Sequence, residues 1–141
     1  MKVERPKRYA ELDHRALALW AADCAQRVLS CFELNYPHDG RPRKAIEAGR
    51  SWARGKLTMR EARVAAFAAH AAARAANHPA ARAAARAAGH AAATAHVVGH
   101  ARPAAAYAVT ASGTAAAMER DWQARRLPAR LRSEVFPPEK S

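Results

Sequence analysis

Between Ala62 and Met118 the sequence contains no aspartate and no glutamate, although Arg63, Arg74, Arg82, Arg86 and Arg102 all lie there. Each of these cations must find a carboxylate in another segment or remain in water. Lysine is missing as well from Lys56 to Lys140, whereas solvated helix faces ordinarily mix lysine with acidic residues. The only two cysteines, Cys24 and Cys31, fall on one expected helix and would stand about 10 Å apart. That separation excludes a disulfide between them and favours small buried hydrophobes over reactive or metal-binding thiols. Long apolar runs are absent too. The uncharged run from Pro103 to Met118 contains Thr110, Ser112, Gly113 and Thr114 and is too short to span a bilayer, so no membrane helix is expected. The opening MKVERPKRYAELDH is charged, which predicts no secretory signal and a cytoplasmic location. No segment alternates over the length of a strand. There is no phosphate-binding glycine loop, no nucleophile elbow and no paired-carboxylate motif, and Gly89 and Gly99 do not make a dinucleotide fingerprint. The expectation is a protein without catalytic residues and without a cofactor.

Alanine and positive charge take the place of what is missing. The chain has 141 residues and a formal net charge of +12. Its length suits one domain, and its charge favours encounter with nucleic acid, an acidic protein surface or anionic lipid. The predicted organisation is a basic flexible arm over 1–10, a helical domain over 11–135 and a flexible tail over 136–141. Asp13 is the expected N-cap of a first helix to about Leu34. On that helix Leu17, Trp20, Cys24, Val28 and Cys31 share one side, away from Asp23, Gln26, Arg27 and Ser30. Pro42 opens a second helix that Gly55 stops. The capping box Thr58 to Glu61 starts a third, running to Asn77. Pro79 opens a fourth to about Val98, and Pro103 a fifth through Trp122 to Arg126, with Gly113 a flaw or bend. A short helical turn follows Pro128. The fold class is all-α: a single-domain bundle of about five helices, with the alanine-rich third and fourth helices as a closely packed central pair.

Helical arithmetic gathers the polar residues of that pair. Arg82, Arg86, His90, Ala93, His96 and His100 lie within an arc of about 120° on the fourth helix. Arg63, Phe67, His70, Arg74 and Asn77 group on the third. One reading is the solvated side of two amphipathic helices. Against it stand the phenyl ring of Phe67 inside its stripe and the frequency of histidine. The other is a groove that meets an anionic partner or an internal acid cluster, with Asp23, Asp39 and Glu47 as the internal acids. His96 and His100, four residues apart, also raise a metal alternative, in which His70 or His90 completes the ligand set. Trp52 and Trp122, near helix ends, are expected to pack over the edge of the core.

The blocks LWAADCAQRVLSCFE, DGRPRKAIEAGRSWARG, AAFAAHAAAR, AAGHAAATAHVVGHA and AAAYAV resemble, in order and spacing, the bacterial immunity proteins of the Imm-five-like type. The similarity extends over about Leu17 to Leu131. It implies a small helical cytoplasmic protein that protects by binding and blocking a cognate toxin, and it transfers no catalytic residue. Motif positions that match are Asp39, Arg41, Pro42, Arg43, Trp52, His70, Arg74, His90, His96, His100 and Tyr107, as toxin contacts or as an internal polar network. Immunity proteins against nucleases are commonly acidic, whereas this chain is basic, so the expected toxin offers an acidic face. The leading expectation is a non-enzymatic toxin-neutralising protein contacting its partner through Asp39, Arg41, Arg43, His70, Arg74, Arg82, Arg86, His90, His96, His100 and Tyr107. The alternatives are a metal-binding protein using His70, His90, His96 and His100, and a basic protein that binds nucleic acid nonspecifically. The alanine faces could also pair between subunits, giving a homo-oligomer.

Overall fold

The first helix, α1 (Lys7–Glu33), begins before the expected cap at Asp13. Asp13 lies inside it, buried, with its Oδ1 accepting from Arg130 Nη2 at 2.7 Å. Its carboxylate thus serves a contact with the C-terminal segment. The structure, a computed structural model, describes residues 7–136. Of the predicted flexible arm, 7–10 is therefore helical, while residues 1–6 and 137–141 lie outside the described residues. The expected core side of α1 is correct: Leu17, Trp20, Cys24 and Val28 are buried, and Cys31 partly so. Leu29, Phe32 and a series of alanines are buried as well, which makes α1 an interior helix.

Local signals account for the next starts and stops. In α2 (Arg41–Ala53) Pro42 occupies the first turn, and Gly55 with φ +74° follows the last, a conformation that glycine adopts without steric cost. In α3 (Met59–Ala75) the Glu61 amide donates to Thr58 Oγ1 at 3.1 Å and the Thr58 amide to Glu61 Oε1 at 3.4 Å. Two free amides are thereby satisfied reciprocally. Helix α4 (Pro79–Ala93) starts at the expected proline but stops short of Val98. The buried Thr94 hydroxyl donates to the His90 carbonyl at 2.9 Å, and the Val97-Val98-Gly99 run that follows has poor helix propensity. A single 3₁₀ turn, Val98–His100, leads into α5 (Ala101–Ala111). The fifth expected helix is also divided. Gly113, at φ +56°, opens a 3₁₀ turn that separates α5 from α6 (Ala116–Arg126). A short α7 (Arg132–Val135) follows the turn after Pro128. Seven helices thus replace the expected five, with no strand among the described residues.

Helix α4 sits against α1, α2, α3 and α5, with Ala81, Ala84, Ala88 and Ala91 fully enclosed. Methyl-sized side chains let the backbones approach closely. A Cβ at Gly49 of α2 would stand 3.1 Å from the Ala91 carbonyl oxygen. Helices α3 and α4 pack closely on each other as expected, and α1 packs on the other side of α4. Helix α4 is the central member, because α3 packs mainly on α2 and α4 and turns Arg60, Arg63, Val64, Phe67 and Arg74 to solvent. The C-terminal segment is held by long side chains instead. Trp20 Nε1 donates to the Gln123 carbonyl at 2.9 Å, and Gln123 Nε2 to the Ala105 carbonyl at 2.9 Å. Leu127, Leu131 and Val135 close the core there.

Candidate functional site

Helices α3, α4 and α5 bring three of the predicted histidines and Tyr107 into one cluster. The rings of His70 and His90 meet edge to face at 4.8 Å, His90 and His100 stack at 5.1 Å, and His90 lies nearly parallel to Tyr107 at 5.4 Å. His90 Nδ1 and His100 Nδ1 are 2.9 Å apart, so one donates the hydrogen bond that the other accepts. Space for His70 comes from Gly89, where a Cβ would fall 2.7 Å from the imidazole. His100 reaches the cluster because α4 ends at Ala93 and the chain doubles back. His96 does not reach it. Exposed in the intervening turn, it places Nδ1 3.3 Å from Met59 Sδ. The expected pairing of His96 with His100 on one helix face therefore fails, since the two are not on one α-helix.

Burial is the main cause that lowers the basicity of these rings. It brings His90 down to about 4, reinforced by His70, His100 and Arg86. His70 is lowered by burial, then by Arg86, His100 and Arg74. His100 is lowered by burial and by His96. At neutral pH the cluster is a packed, uncharged polar layer. His70 Nδ1 is buried without a hydrogen-bond partner in the described structure. Among the described residues no three histidine, cysteine, aspartate or glutamate side chains are grouped to hold a metal ion. Of the four histidines of the metal alternative, His90 and His100 turn their Nδ1 atoms on each other, and His96 faces a thioether. Tyr107 meets His90 face to face, and Ser112 Oγ donates to the Ala108 carbonyl at 2.8 Å.

The arginines divide into two sets. Arg41 is engaged by Asp39 through contacts at 2.9 and 2.8 Å, and Arg43 by Glu33 at 2.8 and 2.6 Å. These guanidiniums hold the carboxyls of Asp39 and Glu33 below their usual range. The DGRPR loop is therefore largely neutralised within the chain and is not joined to the histidine cluster. Asp23 pairs with Arg50 at 3.0 Å. None of the internal acids considered above reaches the stripes. Arg60, Arg63, Arg74, Arg82 and Arg86 have no ion pair among the described residues. Arg82 donates Nε and Nη2 to the Ala76 carbonyl at 3.2 and 2.8 Å. Arg63 lies 5.3 Å from the centre of the Phe67 ring, which is 59% exposed.

Two cavities flank the cluster. One, of about 250 Å³, is bounded by Phe67, His70, His96 and His100. The other, of about 260 Å³, lies between Arg82, Arg86 and Tyr107 and includes Asn77 and Thr110. Thr110 and Gly89 were not foreseen as site residues. Thr110 could have been found from its place three residues after Tyr107 on one helix face. The space at Gly89 leaves no trace in sequence.

A family model described as Imm-5 like putative immunity protein matches residues 7–130. The chain belongs to this immunity-protein family. The match covers α1 to the turn after Pro128 and so includes every residue of both cavities and of the histidine cluster. No curated protein and no solved structure matches the chain. Family membership agrees with the resemblance read from the sequence blocks, and among the described residues no helix is long and apolar enough to cross a membrane.

Proposed function

We propose that the protein is a non-enzymatic immunity protein that binds a cognate toxin through the outer face formed by α3 and the adjoining parts of α4 and α5. The observation that carries this reading is the contrast around Phe67. A phenyl ring stands in water beside Arg63 on a helix that also exposes Arg60 and Arg74, and none of the three arginines has an ion pair among the described residues. Aromatic side chains and arginines are the groups that most often anchor protein interfaces. Unpaired cations beside them favour a partner surface that carries carboxylates. The half-buried histidines of the cluster, lowered in basicity by burial, support this face from behind.

The test is co-expression with the toxin encoded beside it, read as growth protection and as a complex recovered on a tagged toxin across a salt series. Protection together with a complex that weakens as salt rises, and that Phe67→Ala reduces at least tenfold in affinity, is the expected result. Absence of both protection and complex would overturn the reading.

A further inference from the structure

We propose that the cavity between the start of α4 and the end of α5 is a receptor for one carboxylate, presented by an aspartate or glutamate side chain of an acidic partner protein. The identity of that protein as a toxin rests on the reading above; the chemistry of the cavity does not.

Arg86 supplies the main charge. It is half-buried and has neither an ion pair nor a hydrogen bond among the described residues. A guanidinium withdrawn from water without a partner is costly, and its fork matches the two oxygens of a carboxylate. Arg82 adds a second, oriented cation: its Nε and Nη2 are held by the Ala76 carbonyl, which leaves Nη1 for a ligand. Tyr107 stacks on His90 and lines the same cavity. Pro79 and Ala83 provide an apolar wall along which the methylenes of a glutamate can lie. The volume of about 260 Å³ suits one side chain and not a folded segment. No acidic residue lines it.

The donors favour a carboxylate over a phosphate. Phosphate sites draw on several free backbone amides, and this cavity has few to give. The Asn77 amide donates to Tyr36 Oη at 2.8 Å, Pro79 has no N–H, and the Arg82 amide donates to the His78 carbonyl at 2.9 Å. Ala83 and Arg86 lie within α4, where their amides serve the helix.

The cavity also touches the histidine layer. Arg86 is one of the groups that lower His90 and His70. His90 is otherwise faced by His70 from α3, by His100 from the turn before α5 and by Tyr107 from α5; His70 is also influenced by Arg74. A carboxylate on Arg86 offsets that guanidinium, so occupancy raises the pH at which His90 and His70 titrate.

The experiment is an NMR titration of the full chain at low salt with a capped glutamate-containing peptide and, separately, with inorganic phosphate. It reads the Arg86 Nε–H, the Tyr107 ring and the His90 Cε1–H. Arg86→Gln is the test variant, and Arg54→Gln, an exposed arginine at the C-terminal end of α2 that does not line the cavity, is the control, both checked for folding by circular dichroism. Saturable shifts with the peptide, at least tenfold weaker binding in R86Q but not in R54Q, and an upward move of the His90 titration in the bound state are expected. No saturable shift, or equal binding by R86Q, would overturn the proposal. Tighter binding of phosphate than of the peptide would overturn the assignment to carboxylate. If the toxin binds the wild type and R86Q equally, the cavity assignment fails while the toxin reading stands. If the peptide titrates as expected and the toxin does not bind, the reverse holds.

Discussion

Arg27, Arg43, Arg50 and Arg130, around α1, α2 and the C-terminal segment, each meet a carboxylate, at 2.7, 2.6, 3.0 and 2.7 Å respectively. On α3 and α4, Arg63, Arg74, Arg82 and Arg86 meet none among the described residues. The apolar packing differs in parallel. Near the C-terminal segment the core is filled by Trp20, Leu127, Leu131 and Val135; around α4 it is filled by alanine. The first region joins distant segments by long side chains whose charges cancel. The second brings backbones together with small side chains and leaves its positive charge available. One residue type therefore serves cohesion in one half and presentation in the other, and the distribution of carboxylates decides which.

The largest test of this contrast is in the core. Leu131→Ala removes a fully buried side chain that little can replace, and a loss of about 2–5 kcal/mol is expected in urea unfolding. A loss below that range would mean that the C-terminal segment contributes little to cohesion.

The arginines come next. Arg27→Ala strips the buried Glu119 of its guanidinium and Trp122 of a cation held 4.3 Å from its ring, for an expected cost of about 1–3 kcal/mol. Arg86→Ala breaks no such pair and relieves a half-buried guanidinium that has no partner among the described residues, so stability should hold or rise. Equal losses in the two variants would erase the distinction between paired and presented arginines.

The smallest effect concerns space. Gly89→Ala gains helix propensity of about 1 kcal/mol but drives a methyl group into His70, where overpacking costs about 1–3 kcal/mol. A net loss of roughly 1 kcal/mol is expected from these opposing terms. Adding His70→Ala should remove the clash, so that the double variant is more stable than the two single losses added together. Simple additivity would show that the imidazole moves aside freely.

Much of the fold is legible because its signals are local. The capping box at Thr58 and Glu61, the prolines that open α2 and α4, and Gly55 after α2 act within a single turn. The side of α1 that carries Leu17, Trp20, Cys24 and Val28 follows from periodicity alone. The ends of α4 and α5 were harder to read. Thr94 and Gly113 are compatible with a continuing helix, and their roles depend on a back-bonded hydroxyl in one case and a left-handed backbone in the other. The candidate site was half legible. Periodicity put Phe67, His70 and Arg74 on one stripe, but the structure turns His70 inward and leaves Phe67 and Arg74 in water. It also removes His96 from the cluster that His100 joins.

The sequence by itself determined that the chain is helical, that it is strongly basic, and that its middle carries arginine and histidine without acids. These properties are sums over residues or regularities of a single helix. Only the tertiary structure decided which arginines find carboxylates, which histidines lose water and their basicity, and where Arg86 and Tyr107 enclose a cavity. Those outcomes depend on distances between residues far apart in the chain, and a helical period carries no record of them.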